Sequence, residues 1–170
     1  GYGSQAVFRR EVNFVRDYFD QNLETVGKSL VLLNDRKNVD DFPLATRTSI
    51  EDSLQALAGK MDAEQDILFV YLTSHGSKEF EFNLQQRGLT LADLPAKQLA
   101  KMLKELPVKW KVGVISACYS GGFIPELADD HTLVLTAAAE DKTSFGCSDK
   151  NDFTYFGEAF FKDALPQSSS

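Results

Sequence analysis

Apolar residues recur at three-to-four-residue spacing in several stretches of the chain, which is the pattern of amphipathic helices. One of these stretches follows Thr48-Ser49-Ile50-Glu51, which offers a capping hydroxyl with an acid at a suitable offset. Another ends at Pro107, which cannot continue a helix. The sequence therefore predicts four helices, over residues 7–23, 48–61, 99–106 and 155–165.

Short continuous apolar runs lie between these stretches and are typical of strands buried on both faces of a sheet. They predict four strands, over Ser29–Asn34, Asp66–Thr73, Trp110–Ser116 and Thr132–Thr136. Residues 80–91 instead alternate around Arg87-Gly88 and predict a small hairpin that stands off the main sheet. Because strands alternate with helices, we expect an α/β fold with a mostly parallel central sheet and helices on both faces.

The length and composition favour one compact domain over residues 1–170, since 170 residues with 43% hydrophobic content would leave two halves with little core each. Residues 1–4 are interpreted as a processing or cloning remnant with more chain upstream, and no signal peptide is visible in the sequence given. Residues 167–170, rich in serine, predict a flexible tail.

The net charge of −7 argues against a nucleic-acid surface, which needs a basic face. The longest apolar runs fall far short of the roughly 18 residues that span a bilayer. A membrane tether or a further domain would therefore lie outside this chain. The compartment stays open, with a bacterial envelope or periplasmic location as one option.

Two reactive side chains, His75 and Cys118, each lie one or two residues past the end of a predicted buried strand. In open parallel sheets the functional crevice lies outside the carboxyl ends of the strands. Their separation of 43 positions is filled by a hairpin, a helix and a strand, which suits one crossover between neighbouring strands. We therefore expect the imidazole and the thiol to face each other at one edge of the sheet.

A cysteine and a histidine in this placement are sufficient for nucleophilic catalysis, because imidazole can activate a thiol near neutral pH. Gly76 allows a close backbone approach, and its N–H together with that of Cys118 can form an oxyanion hole. Gly121 and Gly122 would keep bulk away from the nucleophile. Each residue alone has an ordinary alternative, a small core cysteine or a loop histidine, so the functional interpretation depends on their joint placement.

The remaining cysteine and histidine have no comparable setting. Cys147 lies in a polar loop after the last strand and is interpreted as a structural thiol, and His131 as a turn residue. A tetrahedral zinc site would need all four of these side chains, and none of their spacings matches a zinc ligand pair. The sequence thus predicts neither a metal nor a cofactor.

Three segments resemble the legumain family of cysteine peptidases, whose clan includes caspases and gingipains. Tyr71–Gly76 and Val114–Gly121 are similar to its two catalytic motifs. The stretches Thr136–Ala138, Thr143–Cys147 and Thr154–Glu158 are similar to the segment after its nucleophile. The resemblance implies a caspase-like three-layer sandwich, a Cys–His dyad and attack on a peptide carbonyl through a thioester, with a peptide or protein as substrate.

The resemblance also implies supporting residues. An asparagine that supports the histidine corresponds to Asn34, and the arginine, acid and serine of the primary specificity pocket correspond to Arg47, Glu158 and Ser144. The residue two before the nucleophile is an acid in legumains and is Ser116 here. Cleavage after Asn or Asp is therefore expected, with Asp less disfavoured than in typical legumains.

Two alternatives stay open at this point. A transamidase or ligase would use the same thioester and pass it to an amine, and the sequence cannot separate it from a hydrolase. A catalytically silent binding module would keep the fold without the chemistry, although retention of His75, Gly76 and Cys118 argues against it.

Overall fold

The computed structural model describes residues 1–35, 39–148 and 150–167. Its strands are β1 (Ile67–Thr73), β2 (Glu81–Phe82), β3 (Leu94–Pro95), β4 (Trp110–Ser116) and β5 (Thr132–Thr136). Its α-helices are α1 (Ala6–Asn22), α2 (Arg47–Ala58), α3 (Ala96–Lys104), α4 (Ile124–Leu127) and α5 (Tyr155–Gly157). A 3₁₀-helix, Ser120–Phe123, precedes α4, and α5 continues into a π-helix, Glu158–Ala164, and a 3₁₀-helix, Leu165–Gln167.

The main sheet is parallel, in the order β1-β4-β5. Thr73 at the end of β1 is paired with Ser116 at the end of β4, so these two strands finish level with each other. A parallel pair requires a long crossover, and residues 74–109 supply it. The predicted strands over residues 66–73, 110–116 and 132–136 are confirmed.

Helices cover both faces of this sheet, because alternate side chains of each strand point to opposite sides. On one face the core joins Leu68 and Ile115 of the strands with buried residues of α2, α3 and α4. On the other face Val114 packs with Val15 of α1 and Phe161 of the C-terminal helix. The fold is thus an α/β caspase-like sandwich of three layers, as predicted.

The predicted strand at Ser29–Asn34 is wrong, because the structure assigns no strand to this segment. Leu33 is buried, but Leu30 is half exposed, so the apolar run does not lie between two helical layers. The N–H of Leu33 donates to the carbonyl oxygen of Pro43, 3.0 Å away, within the same connection. An apolar run alone did not distinguish this extended segment from a strand.

The small antiparallel pair off the main sheet is confirmed, but with a different partner strand. Glu81 and Phe82 of β2 pair with β3, which lies beyond the end of the predicted hairpin at Leu91. Gly88, with a φ of 89°, turns the chain between them, as the sequence suggested.

The helices differ from the prediction at their ends, and α3, for example, spans Ala96–Lys104 and not residues 99–106. The cap of α2 is Thr46, whose hydroxyl accepts the N–H of Ser49 at 3.0 Å, and not Thr48. The predicted flexible tail lies outside the described residues, apart from Gln167, which ends the last helical turn.

Within residues 1–35, 39–148 and 150–167, no helix is long and apolar enough to cross a membrane.

Candidate active site

The two reactive residues lie at the same edge of the sheet. Because Thr73 and Ser116 are register partners, His75 and Cys118 each follow a paired residue by two positions. The N–H of Ser74 donates to the carbonyl oxygen of Ser116 at 3.1 Å and extends the pairing by one step toward them. The carboxyl ends of β1 and β4 therefore place the imidazole loop directly beside the thiol loop.

Gly76 brings the two loops into backbone contact. A side chain at this position would clash with the carbonyl oxygen of Cys118 and lie 3.2 Å from the Cβ of Ala117. Gly76 also forms an isolated antiparallel bridge with Phe82. The hydrogen bonds of this bridge are made by the residues on either side of Gly76, and not by Gly76 itself. The N–H of Gly76 is thus left out of this bridge, as an oxyanion donor has to be.

The thiol of Cys118 is partly buried and contacts the loop after β5. Its Sγ lies 3.3 Å from the N–H nitrogen of Ser144 and 3.7 Å from the carbonyl oxygen of the same residue. Tyr119 follows in a left-handed conformation, with a φ of 56°, and its N–H donates to Lys142 at 2.7 Å. These contacts turn the chain sharply after the nucleophile and hold the Ser144 N–H on the sulfur.

The imidazole of His75 is packed among residues of the N-terminal segment. Its Nε2 lies 2.6 Å from Oε1 of Gln5, and the rings of Tyr2 and Phe8 meet it edge-on at centroid distances of 4.7 and 5.4 Å. Burial of the ring lowers the pKa of His75 from its usual value, because the charged form loses hydration.

Gln5 is not among the site residues predicted from the sequence. It lies 70 residues before His75 and has no motif around it. If the Nε2 proton is donated to the amide oxygen, the lone pair is on Nδ1, which is then the nitrogen that can accept a proton. Only the three-dimensional packing of α1 against the end of β1 reveals this partner.

Of the residues that the resemblance assigns to the specificity pocket, Ser144 alone contacts the thiol. Ser116 is buried, with its Oγ 3.3 Å from Oγ1 of Thr154. Arg47 donates through Nε to the carbonyl oxygen of Asp93 at 2.6 Å. Glu158 pairs with Lys162 at 2.9 Å on the C-terminal helix. The assignment of these residues to one specificity pocket stays a prediction.

Asn34 is buried and bonds to the backbone. Its Oδ1 accepts the N–H of Ala45 at 2.8 Å, and its Nδ2 donates to the carbonyl oxygens of Ala45 and Gly1 at 3.0 and 2.9 Å. It therefore anchors the segment that leads to Gln5, while the described hydrogen bond of the histidine ring is with Gln5. Direct support of the histidine by Asn34 stays a prediction.

A cavity lies along the N-terminal segment and the start of α1. Its lining includes Gln5 and Phe8, which contact His75, and Arg9 one helical turn further on. Arg9 forms an ion pair with Asp35, with Nε and Oδ2 3.1 Å apart. The Arg9 guanidinium, which the sequence did not indicate as a site residue, thus lines the same cavity as Gln5.

The other predicted features have other settings. A side chain at Gly122 would clash with the ring of Phe80, and one at Gly121 would lie 2.8 Å from the carbonyl carbon of Ala139. These glycines are therefore required by close packing of neighbouring segments, and their role beside the nucleophile stays a prediction. His131 lies at the opposite edge of the sheet, edge-on to Trp110 at 5.0 Å. Within the described part of the chain, no group of three His, Cys, Asp or Glu side chains could hold a metal ion.

A caspase-like sheet with a thiol and an imidazole on neighbouring strand ends is typical of one class of cysteine peptidases. The family model of the peptidase C13 family matches residues 48–170, and the chain belongs to this family, the legumain family. No curated protein matches the chain. The matched region contains His75 and Cys118 but begins after Gln5, Arg9, Asn34 and Arg47, and family membership supports a cysteine peptidase-type function in general.

Proposed function

We propose that the chain is a cysteine endopeptidase in which Cys118 is the nucleophile and His75 is the proton-transfer partner. The observation that carries the proposal is the register of β1 and β4, which places both side chains two residues past a paired position. The apolar strand before each residue makes its backbone rigid. Rigid placement of a nucleophile and its base is what lowers the entropic part of the barrier.

In the proposed reaction the thiol of Cys118 gives its proton to Nδ1 of His75, and the sulfur attacks the carbonyl carbon of the scissile bond. The oxygen becomes negatively charged and accepts the N–H groups of Gly76 and Cys118. The imidazolium then protonates the leaving amine, and a thioester remains on Cys118. Water, activated by His75, hydrolyses the thioester and restores the thiol.

Cleavage after Asn or Asp is part of this proposal, since a guanidinium can bind the side-chain oxygen of either residue. The resemblance assigns this role to Arg47, but its guanidinium is held by the carbonyl oxygen of Asp93. Arg9 borders the cavity beside Gln5, so we propose it as the guanidinium of the pocket. Asp35 beside it would balance its charge and favour the neutral Asn over Asp.

The test is labelling by a peptide acyloxymethyl ketone with Asn or Asp at the reactive position. We expect wild-type protein to be labelled at Cys118 and both Cys118→Ala and His75→Ala to lose the label. Cys147→Ala is the matched control and should be labelled as wild type. Label on Cys147, or no label on folded wild-type protein, would contradict the proposal and favour a silent binding module.

A transferase and a hydrolase differ only in what resolves the thioester. Incubation of a cleavable Asn peptide with and without an added amine nucleophile separates them. We expect the free acid to be the main product in both cases. A product that is mainly the amide, at an amine concentration far below that of water, would identify a transamidase instead.

A further inference from the structure

Glu11, on the first helix, is a carboxylate that is completely removed from solvent. It accepts four hydrogen bonds: from the hydroxyls of Tyr71 and Thr73, and from both the N–H and the hydroxyl of Thr154. The bonds from Thr73 and Thr154 are 2.8 to 2.9 Å long. A side chain at Gly157 would clash with the carboxylate, so the backbone of α5 packs directly against the Glu11 side chain.

A buried carboxylate is costly unless its oxygens are fully bonded, and an apolar residue would fill this position of an amphipathic helix more simply. The four donors are neutral and come from β1 and from the start of α5, far apart in sequence. Burial, followed by the charge of Glu11, raises the pKa of Tyr71 well above its usual value, so that hydroxyl keeps its proton and remains a donor. The hydrogen bonds of Glu11 therefore connect α1 with β1 and with the start of α5.

The elements that Glu11 joins are those that carry the candidate active site. Thr73 ends β1, two residues before His75, and its register partner Ser116 ends β4, two residues before Cys118. The hydroxyl of Ser116 lies 3.3 Å from that of Thr154, which bonds to Glu11. One carboxylate thus holds Thr154 against both strand ends.

Thr154 is also linked to the residues that contact the thiol. The N–H nitrogen of Ser144 lies 3.3 Å from Sγ of Cys118. Its neighbour Phe145 accepts, through its carbonyl oxygen, the N–H of Tyr155, the residue after Thr154, at 3.3 Å. The bonds that fix Thr154 therefore also act, through Tyr155 and Phe145, on the segment that carries the Ser144 N–H.

We propose that Glu11 is a positioning residue for the Cys118 thiol: by fixing Thr154 to the ends of β1 and β4, it holds the Ser144 N–H on the sulfur. The proposal rests on the proposed function for its kinetic consequence. Its structural part does not, because the reactivity of a thiol toward a small electrophile can be measured without any peptide substrate.

The decisive variant is Glu11→Gln, which keeps the shape but replaces one acceptor oxygen with a donor NH2 group that faces other donors. We expect kcat for the Asn peptide to fall about tenfold or more while KM changes little, because an interaction at the reacting group is lost and substrate binding is not. The rate of Cys118 alkylation by iodoacetamide should fall with it.

Val108→Ala is the matched control, since Val108 is equally buried but lies before the amino end of β4, away from the site. It should lower the melting temperature and leave kcat and the alkylation rate as in wild type. A folded Glu11→Gln variant with the wild-type alkylation rate would overturn the proposal and leave Glu11 a purely structural residue.

A second pair of variants tests the same connection if Glu11→Gln does not fold. Thr154→Ser keeps the hydroxyl, and Thr154→Val removes it with little change in volume. We expect the valine variant to alkylate slowly and the serine variant to behave as wild type, and equal rates in the two would overturn the proposal. If Glu11→Gln and Thr154→Val are alkylated at the wild-type rate, the role of Glu11 is contradicted. If they are alkylated slowly but the wild-type protein cleaves no peptide, only the proposed function is contradicted.

Discussion

The backbone of Gly76 lies directly against the carbonyl oxygen of Cys118, with no room between them for a methyl group. This contact joins the loop of the imidazole to the loop of the thiol. It also explains why glycine follows the histidine in physical terms, since any Cβ at this position would push the two loops apart. The geometry of the site therefore depends on a residue that has no side chain.

We predict that Gly76→Ala abolishes most of the activity while the protein stays folded. The new methyl group would displace the Cys118 loop by a fraction of an ångström or more, and such displacements of reacting groups cost up to about 100-fold in rate. Gly59→Ala is the control, because Gly59 has a φ of −66° and a Cβ there would meet Gln55 O at an ordinary 3.4 Å. Peptide cleavage by both variants, with melting curves, checks the prediction, and an active Gly76→Ala variant contradicts it.

On the acid side of the pH profile, activity should fall with a midpoint below about pH 6.5, the usual pKa of histidine. Burial lowers the pKa of His75, so the neutral imidazole, which is the form that can accept the thiol proton, persists to lower pH. Tyr2→Ala removes a ring that covers the imidazole edge-on, and should move the limb to higher pH.

The pH dependence of kcat/KM for wild type and Tyr2→Ala is one measurement of this effect. NMR titration is another, because the chain has only two histidines and His131→Gln assigns the signals. The same shift has a consequence for stability. The folded state disfavours the charged ring, so the free energy of unfolding should fall as the pH drops below about 6.5 toward the lowered pKa of the folded state. A midpoint of the acid limb above pH 6.5 in the wild-type protein would contradict the assignment of this limb to His75.

The parallel strands and the two reactive residues could be predicted because they depend on local patterns. Continuous apolar runs mark strands covered on both faces, and a polar residue at the end of such a run is visible in the sequence. The connection at Ser29–Asn34 has the same apolar pattern but no strand, because pairing depends on a neighbour that local pattern does not specify.

The partners of the reactive residues could not be predicted, since each contact spans much of the chain. Glu11 lies on an amphipathic helix, where a charged residue is normally assigned to the solvent face. It is buried only because Thr73 and Thr154, 62 and 143 residues away, supply donors. Gln5 and Arg9 likewise acquire their settings when α1 packs beside the end of β1.

Cys147 should be unreactive toward iodoacetamide at neutral pH. Burial, together with the charges of Cys118 and Glu11, raises its pKa to about 11, so the thiolate that reacts is scarce. We expect alkylation of wild type at pH 7 to occur at Cys118 and to be lost in Cys118→Ala, with Cys147 labelled only as the pH approaches 11. Peptide mapping by mass spectrometry checks this, and rapid labelling of Cys147 at pH 7 would show that its pKa is not raised.

The guanidinium of the specificity pocket can be identified by comparing Arg9→Ala with Arg47→Ala. We expect Arg9→Ala to lower kcat/KM for Asn peptides by a factor of about 10 to 100, the loss of a charge-assisted hydrogen bond worth roughly 1.5–3 kcal/mol. Arg47→Ala should mainly lower the melting temperature, because Arg47 ties α2 to the backbone at Asp93.

The comparison needs a substrate that does not use the pocket. A peptide with Ala in place of Asn provides it, since removal of the correct guanidinium should leave the poor cleavage of that peptide unchanged. If Arg47→Ala removes the Asn preference and Arg9→Ala keeps it, the pocket lies where the resemblance to legumains places it. The guanidinium of Arg47 would then have to leave the carbonyl of Asp93 when substrate binds, which would make substrate binding dependent on a rearrangement of the first turn of α2.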